Sequence, residues 1–225
     1  QASPGATTGN RWTLQSPYEF KPIAVPPYDG PPITLDGDDM KIVAPVGFTK
    51  DNPYTIEVPY IDVHRNPGPG ILTVVGPVEF HVTGVRGMTL GNSASVFVGD
   101  PCDPLTWPNS SLCVYLSAGL EVKEGAAINN LSRIPNNFWL YGTGTGPVEQ
   151  VWNIKQSGAF YGVYYGPNAY IQISQSAEIY GSVSGKRFDM SQNGKLHYDV
   201  QLANNSKYDV GFQIDRWWEE VVLDE

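Results

Sequence analysis

Residues 158–199 read GAFYGVYYGPNAYIQISQ and then SAEIYGSVSGKRFDMSQNGKLHYD, two successive copies of one strand-and-turn unit. Tyr161-Gly162 returns as Tyr180-Gly181, 19 positions on, and Gly166 returns as Gly185 at the same offset. The step Ala177-Glu178-Ile179 comes back as Gly194-Lys195-Leu196, 17 positions on. A period of about 20 residues, carried by strands and glycines without helical patterning, predicts stacked coils of a β-solenoid. Gly162, Gly166, Gly181 and Gly185 are expected at turns or tight packing points, where the backbone needs freedom a Cβ would remove.

Working outward, the same phrase recurs more loosely. Met88-Thr89-Leu90-Gly91-Asn92 leads into Ser95-Val96-Phe97-Val98, Tyr115-Leu116-Ser117-Ala118-Gly119 leads into Leu120-Glu121-Val122, and Ala169-Tyr170-Ile171-Gln172-Ile173 follows. Upstream lie short alternating runs, Ile33-Thr34-Leu35, Met40-Lys41-Ile42-Val43, Tyr54-Thr55-Ile56-Glu57-Val58, Tyr60-Ile61-Asp62-Val63, Ile71-Leu72-Thr73-Val74-Val75 and Val78-Glu79-Phe80-His81-Val82. Such runs fit solenoid faces or a small sandwich, and the repeat favours the solenoid for residues 70–200. The expected class is therefore all-β, a short right-handed parallel β-helix. Its expected parts are an extended arm at 1–32, strands packing on or capping the solenoid at 33–69, the β-helix at 70–202, and a closing segment at 203–225. The arm follows from proline, since 13 of the 19 prolines lie at or before Pro77, and proline fixes φ while removing a donor. Tyr18, Phe20, Ile23, Val25 and Tyr28 could lay that arm along a folded body. The tail around Trp217-Trp218 reads as a closing strand, with a helix as the alternative.

Composition excludes several function classes. A formal net charge of −9 with no basic stripe repels nucleic acid and anionic membrane surfaces. No purely apolar run is long enough to span a bilayer. The opening Gln1-Ala2-Ser3-Pro4, without an initiator Met, is expected of a processed or trimmed chain. Cys102 and Cys113 bracket a turn-rich stretch, residues 103–112. A disulfide closing loop 100–113 is favoured over two thiols, and with it export to an oxidising compartment, extracellular, at the cell surface or periplasmic.

Chemistry finds little purchase. His64, His81 and His197 are not at metal-ligand spacing. His197 and Asp199 share one side of an alternating strand, which suits a hydrogen bond pinning a coil edge. Asp36-Gly37-Asp38-Asp39 lacks the EF-hand continuation and reads as a solvated turn. Lys186-Arg187 with Asp189 is the one arrangement that evokes a polysaccharide lyase, but no acidic pair recurs at rung spacing. No phosphate loop or nucleophile elbow occurs. The expectation is no catalytic residue, no metal and no cofactor, with Tyr161, Tyr164, Tyr165, Tyr170 and Tyr180 as candidate contact rings.

The stretch 160–169, Ile179-Tyr180-Gly181-Ser182-Val183 and above all the run Asn193-Gly194-Lys195-Leu196-His197-Tyr198-Asp199 resemble a β-helical domain of exported bacterial proteins that accompany type IV pili and type II secretion pseudopili. Trp217-Trp218-Glu219 is similar to that family's ending. A pilin-like helix, often of the PilX type, usually precedes the domain there and is not in this chain. The coil pattern also resembles the polymer-forming bactofilins, which lack the proline-rich front and the cysteine pair. The resemblance implies a structural or adhesive accessory of a bacterial surface filament or secretion machine, with protein or sugar partners and no chemistry of its own. The alternative is a carbohydrate-binding or polysaccharide-cleaving β-helix.

Overall fold

The computed structural model describes residues 33–37, 39–64, 70–155, 158–174, 176–191, 194–199 and 202. The expected arm at 1–32 and closing segment at 203–225 lie outside these residues. What is described is an all-β parallel solenoid that begins earlier than the sequence indicated. Its first rung is β1 (Leu35–Gly37), β2 (Met40–Val43) and β3 (Tyr54–Val58). The second is β4 (Ile61–Val63), β5 (Ile71–Val75) and β6 (Pro77–Val82), and the third β7 (Met88–Leu90), β8 (Ser95–Val98) and β9 (Ser111–Leu116). The fourth is β10 (Leu120–Val122), β11 (Ala127–Asn130) and β12 (Phe138–Gly142). Then β13 (Gln150–Ile154) runs into the long β14 (Gly158–Ile173), β15 (Ala177–Met190) and β16 (Lys195–Tyr198).

Every pairing between these strands is parallel and joins one rung to the next. Residues 33–64 are therefore coil, and no boundary falls at residue 70. Strand β1 pairs with β4 as β4 pairs with β7, so the front strands do not cap the solenoid. They were hard to place because the rungs are unequal in length.

Leu35, Ile61, Met88, Leu120, Trp152, Ile171 and Phe188 stack in register, at intervals of 26, 27, 32, 32, 19 and 17 residues. The drop from 32 to 19 has a structural cause. Four rungs have three faces, the second made by β2, β5, β8 and β11 alone. That face ends at β11, and only residues 155–157 separate β13 from β14. The third face, β3, β6, β9 and β12, then continues through the first half of β14 and β15 into β16. The first face continues through their second halves, with a register shift between Gly166 and Tyr170 marking the corner.

Alternation puts one side chain of each pair inside. Met40, Leu72, Val96 and Ile128 stack on the second face, and Ile42, Val74 and Val98 beside them. That second column closes on Asn130, a buried polar residue whose Nδ2 donates to the carbonyls of Ile134 at 2.8 Å and Tyr161 at 3.0 Å. A buried amide is tolerated only when bonded, and here it ties the last three-faced rung to the first two-faced one. The indole of Trp152 fills the narrowed coil, where a Cβ on Gly142 or Gly166 would meet it at 2.9 or 3.0 Å.

Candidate functional site

The tail rungs carry an outward column of rings. Tyr161 stacks on Tyr180 with centroids 4.8 Å apart and planes 14° apart, and Tyr180 stacks on His197 at 4.4 Å and 8°. The expected register is therefore present, Tyr161 over Tyr180, Gly162 over Gly181 and Gly166 over Gly185. Beside the rings, Glu178 accepts from Lys195 at 2.9 Å and from the Tyr180 hydroxyl at 3.3 Å. The Lys195 ammonium holds the Glu178 carboxyl below its usual range, and the same bond raises Lys195. His197 reaches this carboxylate as well, with Nε2 3.7 Å from Oε1. Tyr180 and Glu178 on the neighbouring strand are thus among its partners, and the Asp199 backbone N–H donates to the Gly181 carbonyl at 3.1 Å.

The other candidate rings divide. Tyr170 is half-buried and faces out, its hydroxyl donating to Asp189 and accepting from Gln172 Nε2 at 3.0 Å. Arg187 lies over its ring at 3.9 Å and grips Glu149 through two nitrogens at 2.6 and 3.2 Å. The bond to Asp189 raises the Tyr170 phenol. Lys186, Arg187 and Asp189 all lie on strand β15. Tyr164 is not a contact ring at all: it points into the coil, fully buried against Phe160 and Trp152, and burial pushes its phenol well up. Tyr165 faces outward yet is buried in a second apolar cluster with Tyr115, Trp139, Tyr141 and Val163, against which Leu202 packs. The four glycines sit within strands. Gly162 and Gly181 are tight packing points, and only Gly166 and Gly185 mark a corner.

On the outside of the third face, His81 Nε2 and Glu79 Oε1 form a buried pair at 2.8 Å. His81 meets Tyr115 edge-on at 5.2 Å, and Tyr115 stacks on Tyr141 at the same distance. This pair extends the ring column, as a supported histidine does.

Sequence reasoning missed a polar column along the first face. Asp36, Asp62, Thr89, Glu121, Asn153, Gln172 and Asp189 occupy one outward register position. Asp36 and Asp62 repeat at the 26-residue interval of Leu35 and Ile61, the signal that could have found them. At the head of this column the ligand atoms of Asp36, Asp62 and His64 lie within 4.8 Å of one another. Arg86 supplies the positive charge there, 2.8 Å from Asp62 and 3.7 Å above the Tyr60 ring, whose hydroxyl donates to Asp36 at 2.6 Å. Arg86 offsets one of the two carboxylate charges and Tyr60 donates to the other carboxylate, so the group is a partnered ion-pair cluster.

The expected Cys102–Cys113 bridge is not formed. Cys102 sits exposed in the turn before a short 3-10 helix, Pro104–Asn109. Cys113 lies inside β9, in register with Glu79 and Trp139. The strand begins at Ser111, so what looked like one loop is a turn plus an outward position of the sheet. Asp103 caps the helix by accepting from Leu105 at 3.1 Å, and Trp107 Nε1 donates to the Asp100 carbonyl at 2.7 Å. Lys41 closes the region onto Asp100 at 2.5 Å.

Fold and surface together define a parallel β-solenoid built of stacked surfaces. The chain belongs to the family described as a domain of unknown function, DUF7305, whose model matches residues 78–205, more than half of its length, from Val78 in β6 through β16. No curated protein and no solved structure matches it. Among the described residues no helix is long and apolar enough to cross a membrane.

Proposed function

We propose that this protein is a non-enzymatic, exported accessory of a bacterial surface filament or secretion machine, acting through contacts made by the outside of its coil. The observation that carries the reading is how the outward carboxylates are disposed. The described carboxylates stacked on adjacent rungs of the first face, Asp36 and Asp62, are held by Tyr60, Arg86 and His64. Glu121 has Thr89 and Asn153 as its rung neighbours. Hydrolysis by paired carboxylates needs two such groups free to converge on one bond; here the two that lie close, Asp36 and Asp62, are engaged by Tyr60 and Arg86, and Glu121 has no carboxylate at its register position on either neighbouring rung. Tyr161, Tyr180 and His197 add low-entropy contact area of the kind protein interfaces use.

The polar stretch Thr89, Glu121, Asn153 and Gln172 supports a second reading, a carbohydrate-binding face. One experiment separates the two and tests the first. The purified protein is co-sedimented with sheared surface filaments and, in parallel, incubated with a polysaccharide panel, with and without calcium. Specific co-sedimentation without new reducing ends or unsaturated products is expected. Turnover that vanishes in a single Asp, Glu, Lys or His variant with folding intact would replace this reading with an enzymatic one, and retention by a polysaccharide alone would favour the second.

A further inference from the structure

Asp36 and Asp62 take the same outward position on neighbouring rungs, a register in which like charges repel. Alternation along β4 turns Tyr60, Asp62 and His64 outward while Ile61 and Val63 are buried, so the tyrosine and the histidine flank the two carboxylates from opposite sides. On one flank the Tyr60 hydroxyl donates to Asp36 Oδ2 at 2.6 Å, and Arg86 Nη2 donates to Asp62 Oδ2 at 2.8 Å. Arg86 Nη1 lies 4.0 Å from the same Asp36 oxygen, with the guanidinium 3.7 Å over the Tyr60 ring. On the other flank His64 Nδ1 is 3.1 Å from Asp62 Oδ1 and 3.8 Å from Asp36 Oδ1. Each carboxylate thus gives one oxygen to the tyrosine and arginine and turns the other toward the imidazole.

We propose that Asp36 Oδ1, Asp62 Oδ1 and His64 Nδ1 form a site for a divalent transition-metal ion, zinc foremost, which ties the first rung to the second. The three ligand atoms lie within 4.8 Å of one another. A cation about 2.1 Å from each sets ligand edges of roughly 3.4 Å in a tetrahedron, a value that the 3.1 and 3.8 Å distances to His64 bracket. Charge points the same way, because Arg86 offsets one carboxylate and a neutral imidazole leaves the other uncompensated. The Tyr60 and Arg86 bonds to the far oxygens are the outer support that orients metal-binding carboxylates. The imidazole separates this set from an acidic patch: one nitrogen with two carboxylate oxygens suits zinc or manganese, whereas calcium and magnesium favour oxygen alone. Three protein ligands leave a further position facing solvent. Spacing along the chain hides the set, since only strand register brings Asp36 to Asp62 and His64. The inference goes beyond the surface-contact reading and does not rest on it.

The test uses the full chain, stripped with a chelator near neutral pH and then given zinc, manganese, calcium or magnesium alone. Zinc should raise Tm by roughly 5 °C at about 100 times its Kd, with manganese weaker and calcium and magnesium weaker still. Calorimetric titration should count one zinc site, and the ring protons of His64 should shift as it fills. Asp36→Asn and His64→Ala should each weaken zinc at least about tenfold, and Tyr60→Phe, which leaves all three ligands in place, about tenfold. Metal-free Asp36→Asn should melt no lower than wild type, because it relieves the repulsion between like charges, and this separates loss of metal from loss of fold. Cys102→Ser, which removes an exposed thiol, should keep the zinc shift. A Tm indifferent to zinc overturns the site and leaves His64 as a protonated clamp on the two carboxylates. A zinc shift that survives both Asp36→Asn and His64→Ala, or that disappears in Cys102→Ser, overturns it as well.

Discussion

Two side chains in the tail rungs have opposite claims on stability. Gly181 has φ of +147°, and a Cβ there would lie 1.9 Å from the Gly162 carbonyl oxygen. Ser182, one position on, faces the other side of the strand, beside Val163. Gly181→Val should therefore cost on the order of 3 kcal/mol, from backbone strain and displaced rungs, and lower Tm by roughly 10 °C. Ser182→Val should change Tm little, and equal melting of the two variants would remove the stacked register as the cause. Tyr164 offers the reverse case. Its hydroxyl is buried with no hydrogen-bond partner among the described residues, and an unmade bond costs more than an absent group. Tyr164→Phe should melt at or above the wild-type temperature, by up to about 1 kcal/mol. A clear loss would mean the hydroxyl has a partner that the geometry does not reveal. Cys102, exposed and unbridged, should take iodoacetamide in the native protein without reductant. Resistance to alkylation until reduction, read by intact mass, would restore the bridge.

At the scale of the element, β16 depends on Glu178. Because the Lys195 bond lowers the carboxyl below its ordinary value, the stabilising contribution is present above the unfolded-state pKa and is lost as pH falls through the folded one. Protection of the Leu196 and His197 amides against hydrogen exchange, corrected for intrinsic rates, should then decline below about pH 4. Glu178→Gln should flatten that decline, and an unchanged profile would detach the strand's order from this ion pair. The same strand shows why part of the fold was legible. Residues 158–199 form rungs of 19 and 17 residues without a second face, so Tyr161, Gly162 and Gly166 find their copies by simple offset. Upstream, a whole face and loops such as residues 99–110 are inserted between equivalent strands, which stretches the interval to 32 and hides the match of Leu120 to Trp152. Alternation located most of the short strands, since each is read locally. It could not say which outward position is covered, because Tyr165 and Tyr161 differ only in what lies over them. Nor could it join Asp36 to Asp62, whose meeting is a property of register between strands. Tyr164 was misplaced for a smaller reason: in Tyr164-Tyr165 one ring must point in, and composition does not say which.

For the whole molecule, a solenoid ties each rung only to its neighbours, so stability is close to a sum of rung and interface contributions. The consequence is directional here. Leu140 is buried within the fourth rung, its strand β12 flanked by β9 and β14 on the third face, whereas Leu196 belongs to β16, which among the described strands pairs with β15 alone. Leu140→Ala should leave a cavity and cost about 2–5 kcal/mol, and hydrogen exchange should rise on both sides of the fourth rung because two interfaces are weakened together. Leu196→Ala removes a side chain still 39% exposed, so its cost should stay under about 1 kcal/mol and its effect on exchange should be confined to β15 and β16. The comparison is made by urea unfolding and residue-resolved exchange on the two variants. If Leu196→Ala destabilised the entire coil as much as Leu140→Ala, the tail rungs would be coupled to every other rung. The nearest-neighbour account would then fail, since a sum of local rung contributions cannot carry a loss at one end through the whole coil.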